Sequence, residues 1–397
     1  MLKIKVSKTH QARLLKGHPW VHFYQVSNRG VEGQPGDLGV VYDDRNRFLA
    51  IGLFDPYSDI RLRVLATREP VTLDAPFFRE RLLRARGLRD SLAAENTTGY
   101  RVVNGENDGF PGMVVDRYAD TVVVKLYTAA WIPFLSVLAP LLEELLEAQR
   151  GVLLLSRHVQ RTPAEGPASG AILFGPPLEG AVVFTENGLF FQADVVAGQK
   201  TGFYLDQREN RARLRELAKD RKVLNVFSYT GGFSVYCLAG GCRSVVEVEN
   251  NPHALKAAQE NLGLNFPQFI QDPKRFRQMP GDAFQTLTRL KGEKERFDLV
   301  ITDPPAFANH RKHKAKAIQA YLRLARLGAA LTSPGGLLFA ASCSAPVTAD
   351  EFFRSVDLGV RQTGRKSRVV FKSRHPKDHP VNFKEGAYLK GICLEIT

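Results

Sequence analysis

Two nearly continuous apolar runs constrain this chain more than any other feature: Phe297-Asp298-Leu299-Val300-Ile301 and Leu337-Leu338-Phe339-Ala340-Ala341. A strand wetted on one face alternates apolar and polar residues. These runs do not, so both are expected as strands of a parallel sheet covered on its two faces. Each ends on residues that carry chemistry: Thr302-Asp303-Pro304-Pro305 after the first, Ser342-Cys343-Ser344 after the second. In open α/β sheets ligands sit just beyond the carboxyl ends of the strands. Asp303 and Cys343 are therefore expected to share a pocket. A carboxylate and a thiol facing one substrate suit covalent attack on an electrophilic ring.

The surrounding pattern supports that sheet. From about residue 186 onward strands alternate with helices, with strands expected at 222–227, 244–248, 297–302 and 336–341 and helices at 207–219, 251–262, 315–331 and 348–355. This is the signature of a doubly wound, Rossmann-like α/β domain. Arg368-Val369-Val370-Phe371 and residues 388–395 are expected to close it as an antiparallel hairpin. Residues 1–68 form short strands and turns, a small β-rich module. In it Ile60-Arg61-Leu62-Arg63 alternates, so Arg61 and Arg63 are expected to face outward, toward phosphate or solvent. Residues 69–185 make a small α+β region with a basic amphipathic helix at 77–92 carrying Arg79, Arg81, Arg84, Arg86 and Arg89.

Net charge is +14, from 55 Lys and Arg against 41 Asp and Glu, an excess that an enzyme of small metabolites does not need. A phosphodiester partner would use it, although a solvated basic surface has the same composition. No apolar stretch approaches the roughly 20 residues that cross a bilayer, and the start of the chain lacks a signal-type segment, so no membrane is expected and the protein is expected in the cytoplasm. Four cysteines without a C-x-x-C pair argue against a zinc site or a disulfide framework, and no metal is expected. Cys237, Cys242 and Cys393 are expected as buried fillers.

The first strand of the alternating region runs into Ser228-Tyr229-Thr230-Gly231-Gly232-Phe233, a glycine-bearing turn without the G-x-G-x-x-G spacing or the Lys of a phosphate loop. At the end of the next strand, Glu249 suits the two hydroxyls of a ribose, or simply marks the start of a helix at Asn251-Pro252. Gly281-Asp282-Ala283-Phe284 then offers a carboxylate and a ring for an adenine. In this order the pieces resemble a class I S-adenosylmethionine-dependent methyltransferase. Gln199-Lys200-Thr201-Gly202-Phe203-Tyr204-Leu205-Asp206-Gln207-Arg208 narrows the resemblance, as do Asn104 to Gly112, Gly17-His18-Pro19-Trp20-Val21 and Glu385 to Gly391. Together they are similar to the large-subunit rRNA methyltransferases that carry an N-terminal PUA domain, over nearly the whole chain. The resemblance implies a PUA domain at 1–68, a central domain at 69–185 and a methyltransferase domain at 186–397. It implies S-adenosylmethionine as cofactor, held by Lys200, Thr201, Gly202, Phe203, Asp206 and Arg208 together with Ser228, Tyr229, Thr230, Gly231, Glu249, Asp282, Ala283, Phe284 and Asp303. The plainer alternative for Asp206 and Arg208 is a surface ion pair.

The resemblance also implies the chemistry. Carbon 5 of cytosine is a poor nucleophile until a thiolate adds to carbon 6 and makes the ring an enamine. In the cytosine-C5 RNA enzymes the nucleophilic Cys lies in a Thr/Ser-Cys-Ser segment, so Cys343 is the expected nucleophile and Asp303 the acid that orients the base edge. Ala306 stands where many relatives carry a second Cys, which leaves a one-cysteine mechanism. The expected substrate is large-subunit (23S) rRNA, with a homodimer left open. Two other readings compete. An RNA aminomethyltransferase would stack the base on Phe307 and need no thiol, and a non-catalytic ribosome assembly factor would need neither. His375 and His379 are expected in a basic loop at the surface or facing RNA.

Overall fold

A computed structural model describes residues 1–397 apart from Arg29 and Asp44, so the turn expected at Asp43-Asp44 lies partly outside the described residues. The chain forms two compact units. The first comprises residues 1–185, 193–205 and 377–383, and the second residues 186–192, 206–376 and 384–397.

The first unit opens with β1 (Leu2–Ile4), α1 (Lys8–Leu15), β2 (Trp20–His22), β3 (Leu38–Tyr42), β4 (Phe48–Phe54) and β5 (Ile60–Thr67), whose strands order as β1-β3-β4-β5-β2. Next come α2 (Ala75–Gly87) and α3 (Ser91–Ala94), then β6 (Gly99–Asn104), β7 (Met113–Tyr118), β8 (Thr121–Leu126), α4 (Leu135–Leu146), β9 (Arg150–Leu155) and β10 (Ile172–Phe174). The Asp74 carboxylate starts α2 by accepting from Phe77 N at 3.1 Å, with Pro76 in the first turn where no amide is needed. Leu53 and Leu65 of the first sheet share one apolar core with Phe78, Leu82, Trp131 and Leu138. The stretch Ala129–Leu146 is long and apolar enough by composition to cross a membrane, which corrects the expectation that no such stretch exists. Its Leu135, Leu138, Leu141, Leu142 and Leu145 are buried in that same core.

Several basic residues turn inward here. Arg63 is only 4% exposed; its Nη1 donates to the Ile60 carbonyl at 2.9 Å and to Ser58 Oγ at 3.3 Å. Arg61 donates to the Asp55 carbonyl at 3.2 Å and to the Pro56 carbonyl. The expectation that this pair faces outward, toward phosphate or solvent, is thus corrected for Arg63, which is buried, while Arg61 stays half-exposed. On α2 the basic residues divide, with Arg84 and Arg86 exposed. Arg81 reaches the carbonyls of Gly109 (2.7 Å) and Leu65, Arg86 that of Leu145 (2.8 Å), and Arg79 pairs with Glu144.

Arg89 and Asp108 form a fully enclosed pair at 2.6 Å, and Arg89 also donates to the Asp378 carbonyl at 2.8 Å. Asp378 in turn accepts from Arg101 N at 3.0 Å, and Asn104 Nδ2 donates to the Pro380 carbonyl at 2.9 Å. These bonds tie residues 377–383 to the 104–108 turn. His379 is 1% exposed, so its expected place in a surface loop is corrected. Asp108→Ala strands the Arg89 charge in the interior. We expect it to lower unfolding free energy by about 3–5 kcal/mol, measured by urea denaturation.

The hairpin β11 (Val182–Glu186) and β12 (Leu189–Ala193) precedes the alternating region. The second unit then runs α5 (Arg208–Leu217), β13 (Lys222–Val226), α6 (Gly232–Ala239), β14 (Ser244–Glu249), α7 (Pro252–Asn265), β15 (Phe276–Pro280), α8 (Ala283–Gly292) and β16 (Phe297–Thr302). It ends with α9 (Lys314–Leu331), β17 (Thr332–Ser342), α10 (Ala349–Arg361), β18 (Ser367–Ser373) and β19 (Lys390–Ile396). The seven strands order as β15-β14-β13-β16-β17-β19-β18. The first five are parallel; β19 enters antiparallel between β17 and β18. One core gathers Leu287, Tyr321 and Phe352 from α8, α9 and α10, and another gathers Leu214, Phe233 and Leu262 from α5, α6 and α7. The sheet is therefore covered on both faces, which is why its strands lack alternation. β15 and α8 escaped the sequence reading: Arg277 and Gln278 break the apolar run, as an edge strand permits.

Candidate active site

Four neighbouring parallel strands bring four loops to one edge of the sheet. Val248 pairs with Val226, Val226 with Thr302, and Thr302 with Ala340. The segments after these residues hold Glu249, Ser228 to Gly231, Asp303 and Cys343. The register therefore places them side by side, as the strand ends suggest.

The loop after β13 is conformationally unusual. Phe227, Tyr229 and Gly231 all take left-handed φ values of 62°, 47° and 77°. Non-glycine residues rarely do so, and such strain concentrates at ligand-binding turns. At Gly231, with its left-handed φ, a Cβ would also crowd Ala258 Cβ and Glu247 Oε1, each at 3.0 Å, so a side chain there is strained. The loop is held from β14: the Val248 carbonyl accepts from Phe227 N at 2.9 Å, and Glu249 Oε2 accepts from Tyr229 N at 3.1 Å. Glu249 Oε1 accepts from the amides of Asn250 (2.9 Å) and Asn251 (3.0 Å). That arrangement fixes its carboxylate and leaves further lone pairs for a ligand. Among the described residues, the buried hydroxyl oxygens of Ser228 and Thr230 have no hydrogen-bond partner. Buried polar atoms are ordinarily satisfied, so two orphans on one strained loop fit a polar ligand. Beneath them Glu247 is buried, and loss of hydration raises its pKa to about 7.

The remaining expected cofactor contacts divide. Asp282 caps α8 by accepting from Gln285 N at 2.9 Å, Ala283 is buried, and Phe284 is half-buried. Asp206 accepts from Tyr388 Oη at 2.8 Å, and Arg208 is 1% exposed; the surface ion pair is thereby set aside. Lys200, Thr201, Gly202 and Phe203 belong to the first unit. There Thr201 Oγ1 donates to Asp116 Oδ2 at 2.6 Å and lies 2.9 Å from Tyr118 Oη, while Phe203 packs edge-on against Phe184.

Asp303 accepts from Gln207 Nε2 at 2.9 Å. Burial, then the Asp206 charge, pushes its carboxyl up to about 7, so it exchanges a proton near neutrality. Cys343 is the one thiol of the four that is not buried. Burial pushes the Cys242 and Cys393 thiols up to about 12 and raises that of Cys237 as well, which agrees with their expected filler role.

The flanking serines explain the Ser-Cys-Ser spacing. Ser342 Oγ donates to Tyr321 Oη at 2.8 Å, and Ser344 Oγ lies 2.7 Å from the same oxygen. Ser344 Oγ also accepts from Ala308 N at 3.1 Å, which joins the β17 loop to the one after Asp303. Both serines are fully buried, so the loop is fixed on either side of the half-buried Cys343. Below it Lys390, 4% exposed, donates from Nζ to the Ser344 carbonyl (2.6 Å) and the Tyr388 carbonyl (3.0 Å). Burial lowers its pKa to about 8 while attraction to Cys343 opposes the drop. Sequence reasoning missed both Tyr321 and Lys390 as supports. The signal for Lys390 was the closing Tyr388-Leu389-Lys390-Gly391 segment, which carried the resemblance but was assigned no role.

Comparison with known proteins gives the family. The family description for S-adenosylmethionine-dependent methyltransferases matches residues 109–380, and that for a PUA-like domain matches residues 4–67. A Deinococcus radiodurans protein named ribosomal RNA large subunit methyltransferase is 45% identical over 100% of this chain and 97% of its own length. A Cronobacter sakazakii protein named ribosomal RNA large subunit methyltransferase I is 33% identical over 100% and 99%. A methyltransferase solved in complex with SAH superposes with a TM-score of 0.85 at 22% identity, covering 100% of both chains, a likeness of fold.

Proposed function

We propose that this chain, which belongs to the S-adenosylmethionine-dependent methyltransferase family, forms 5-methylcytosine in large-subunit rRNA through a covalent bond between Cys343 and carbon 6 of the target base. The observation that carries the reading is the Cys343 loop. It presents one half-buried thiol between two buried serines, at the strand end next to the one that carries Asp303 and above the buried Lys390 side chain.

S-adenosylmethionine, when bound, supplies an electrophilic methyl group. The residues that fit it are Ser228 and Thr230 with their unpartnered hydroxyls, Glu249 for the ribose, and Asp282 toward the adenine, whereas the Phe284 ring packs against Phe307 and Arg323. The protein's own groups act on the cytosine, which must leave its stack to reach the strand ends. The Cys343 thiolate adds to carbon 6. Asp303 gives its proton to N3, and the ring becomes an enamine that is nucleophilic at carbon 5. After methyl transfer to carbon 5, water takes the proton there, the thiolate leaves from carbon 6, and N3 returns its proton to Asp303, which restores the neutral aromatic ring. Lys390 keeps a positive charge beside Cys343, which favours the thiolate.

Phe307 speaks against the amine reading. Its half-buried ring packs against the core, 4.9 Å from Tyr321 and 6.3 Å from Phe284, centroid to centroid, which engages the ring that would have to stack a base.

The direct test uses rRNA carrying 5-fluorocytidine, in which fluorine blocks the final proton loss. With S-adenosylmethionine present, we expect a protein–RNA adduct that survives denaturant. Methyl transfer to unsubstituted RNA without any adduct from the fluorinated RNA would refute the thiol mechanism.

A further inference from the structure

Away from the strand ends already described, the second unit carries a cavity of about 920 Å³ lined by Lys291, Arg296, Arg323, Arg326 and Arg365. Five of its eleven lining residues are cationic and none is acidic, whereas Lys and Arg make up 55 of the chain's 397 residues. General basicity does not account for that concentration. Its place is the opposite edge of the sheet. Arg296 immediately precedes β16, while Pro334 lies near the start of β17. Asp303 follows the far end of β16, seven residues on from Arg296, so roughly 23 Å of extended chain separates the two.

The cluster is held in place without being neutralised. Arg365 donates to the carbonyls of Ala329 (2.8 Å), Ser333 (3.1 Å) and Ile396 (3.2 Å), and to that of Thr332, so its guanidinium is anchored with its charge intact. Burial, then the neighbouring Arg296 charge, lowers its pKa, as expected for cations crowded together. Arg323 lies 4.7 Å over the Phe284 ring. Glu295, the acid adjoining Arg296, is engaged by Lys222 at 2.6 Å. Lys291, Arg296, Arg323 and Arg326 are exposed. Crowding like charges at one place costs free energy, which a polyanion would offset.

We propose that this cavity is a second RNA-contact site, which binds phosphate groups of the RNA backbone remote from the methylated nucleotide. It rests on RNA being the substrate, but not on which base is methylated. Each phosphate contact on a single strand contributes about 0.7 to the slope of log K against log salt concentration. Binding of a labelled large-subunit rRNA fragment is measured by fluorescence anisotropy across a salt series. The variant Lys291→Gln/Arg296→Gln/Arg326→Gln is expected to lose roughly 2 from the magnitude of that slope and to bind more weakly, with S-adenosylmethionine affinity unchanged. Lys219→Gln/Lys256→Gln/Lys274→Gln removes the same charge from exposed positions elsewhere and is expected to keep the wild-type slope. An unchanged slope in the first variant, or an equal loss in both, overturns the proposal. Absence of RNA binding by the wild-type protein overturns the RNA reading with it.

Discussion

Cys343→Ala is expected to lower methyl transfer to large-subunit rRNA by a factor of about 10³ or more, while S-adenosylmethionine still binds with wild-type affinity. Removing a nucleophile eliminates a route rather than weakening one, and losses of this size or larger are typical. The cofactor-side groups do not depend on the thiol. The Ser228–Gly231 loop and Glu249 follow β13 and β14 and are held by β14 atoms, while Cys343 follows β17. Nor should the fold suffer, since Cys343 is half-buried and its loop is fixed by the Ser342 and Ser344 bonds to Tyr321. Isothermal calorimetry with the cofactor and single-turnover methylation separate the two readouts. Near-wild-type turnover in this variant would remove Cys343 from the chemistry.

Much of this arrangement is legible in the sequence because parallel strands buried on both faces leave a strong mark. The runs at 297–301 and 337–341 give two neighbouring strands, and the residues that end them necessarily meet at one edge. What the sequence hides is long-range pairing. Lys390 lies under the Cys343 loop only because β19 enters antiparallel beside β17, which pairs Ser342 with Lys390. No local pattern encodes that insertion. Tyr321 sits on α9, and its hydroxyl reaches both serines only once that helix packs on the sheet. Arginines misled for a related reason. On β5 and α2 they make a basic pattern, yet for Arg81 and Arg86 the carbonyls of Gly109, Leu65 and Leu145 that bind them come from a turn, a strand and a helix folded against α2. The basic cluster at the opposite edge is assembled from α8, α9 and flanking loops, so it too has no signature in any one segment.

Asp303→Asn is expected to separate stability from activity. In the folded wild-type protein burial and the Asp206 charge raise the Asp303 pKa from 3.8 to about 7. The folded state thus binds this proton more tightly than the unfolded state. The stabilisation is fully present below the unfolded value and is lost as pH rises through about 7. Asparagine has the same shape, can still accept from Gln207 Nε2, and carries no charge to bury. The melting temperature of the variant relative to wild type should therefore climb between about pH 4 and pH 7 and level off above that. Activity should move the other way. Asparagine can donate a hydrogen bond to N3 but cannot transfer a proton, a step that general acids accelerate by about 10²–10⁴. The wild-type kcat/KM should lose its acid-dependent part as pH passes about 7, and the variant should be slow and insensitive to pH in that window. A variant that is both less stable at pH 8 and fully active would show that Asp303 is an ordinary structural carboxylate. A more stable, slow protein would mean that the fold tolerates an ill-solvated acid at this strand end because the reaction needs its proton.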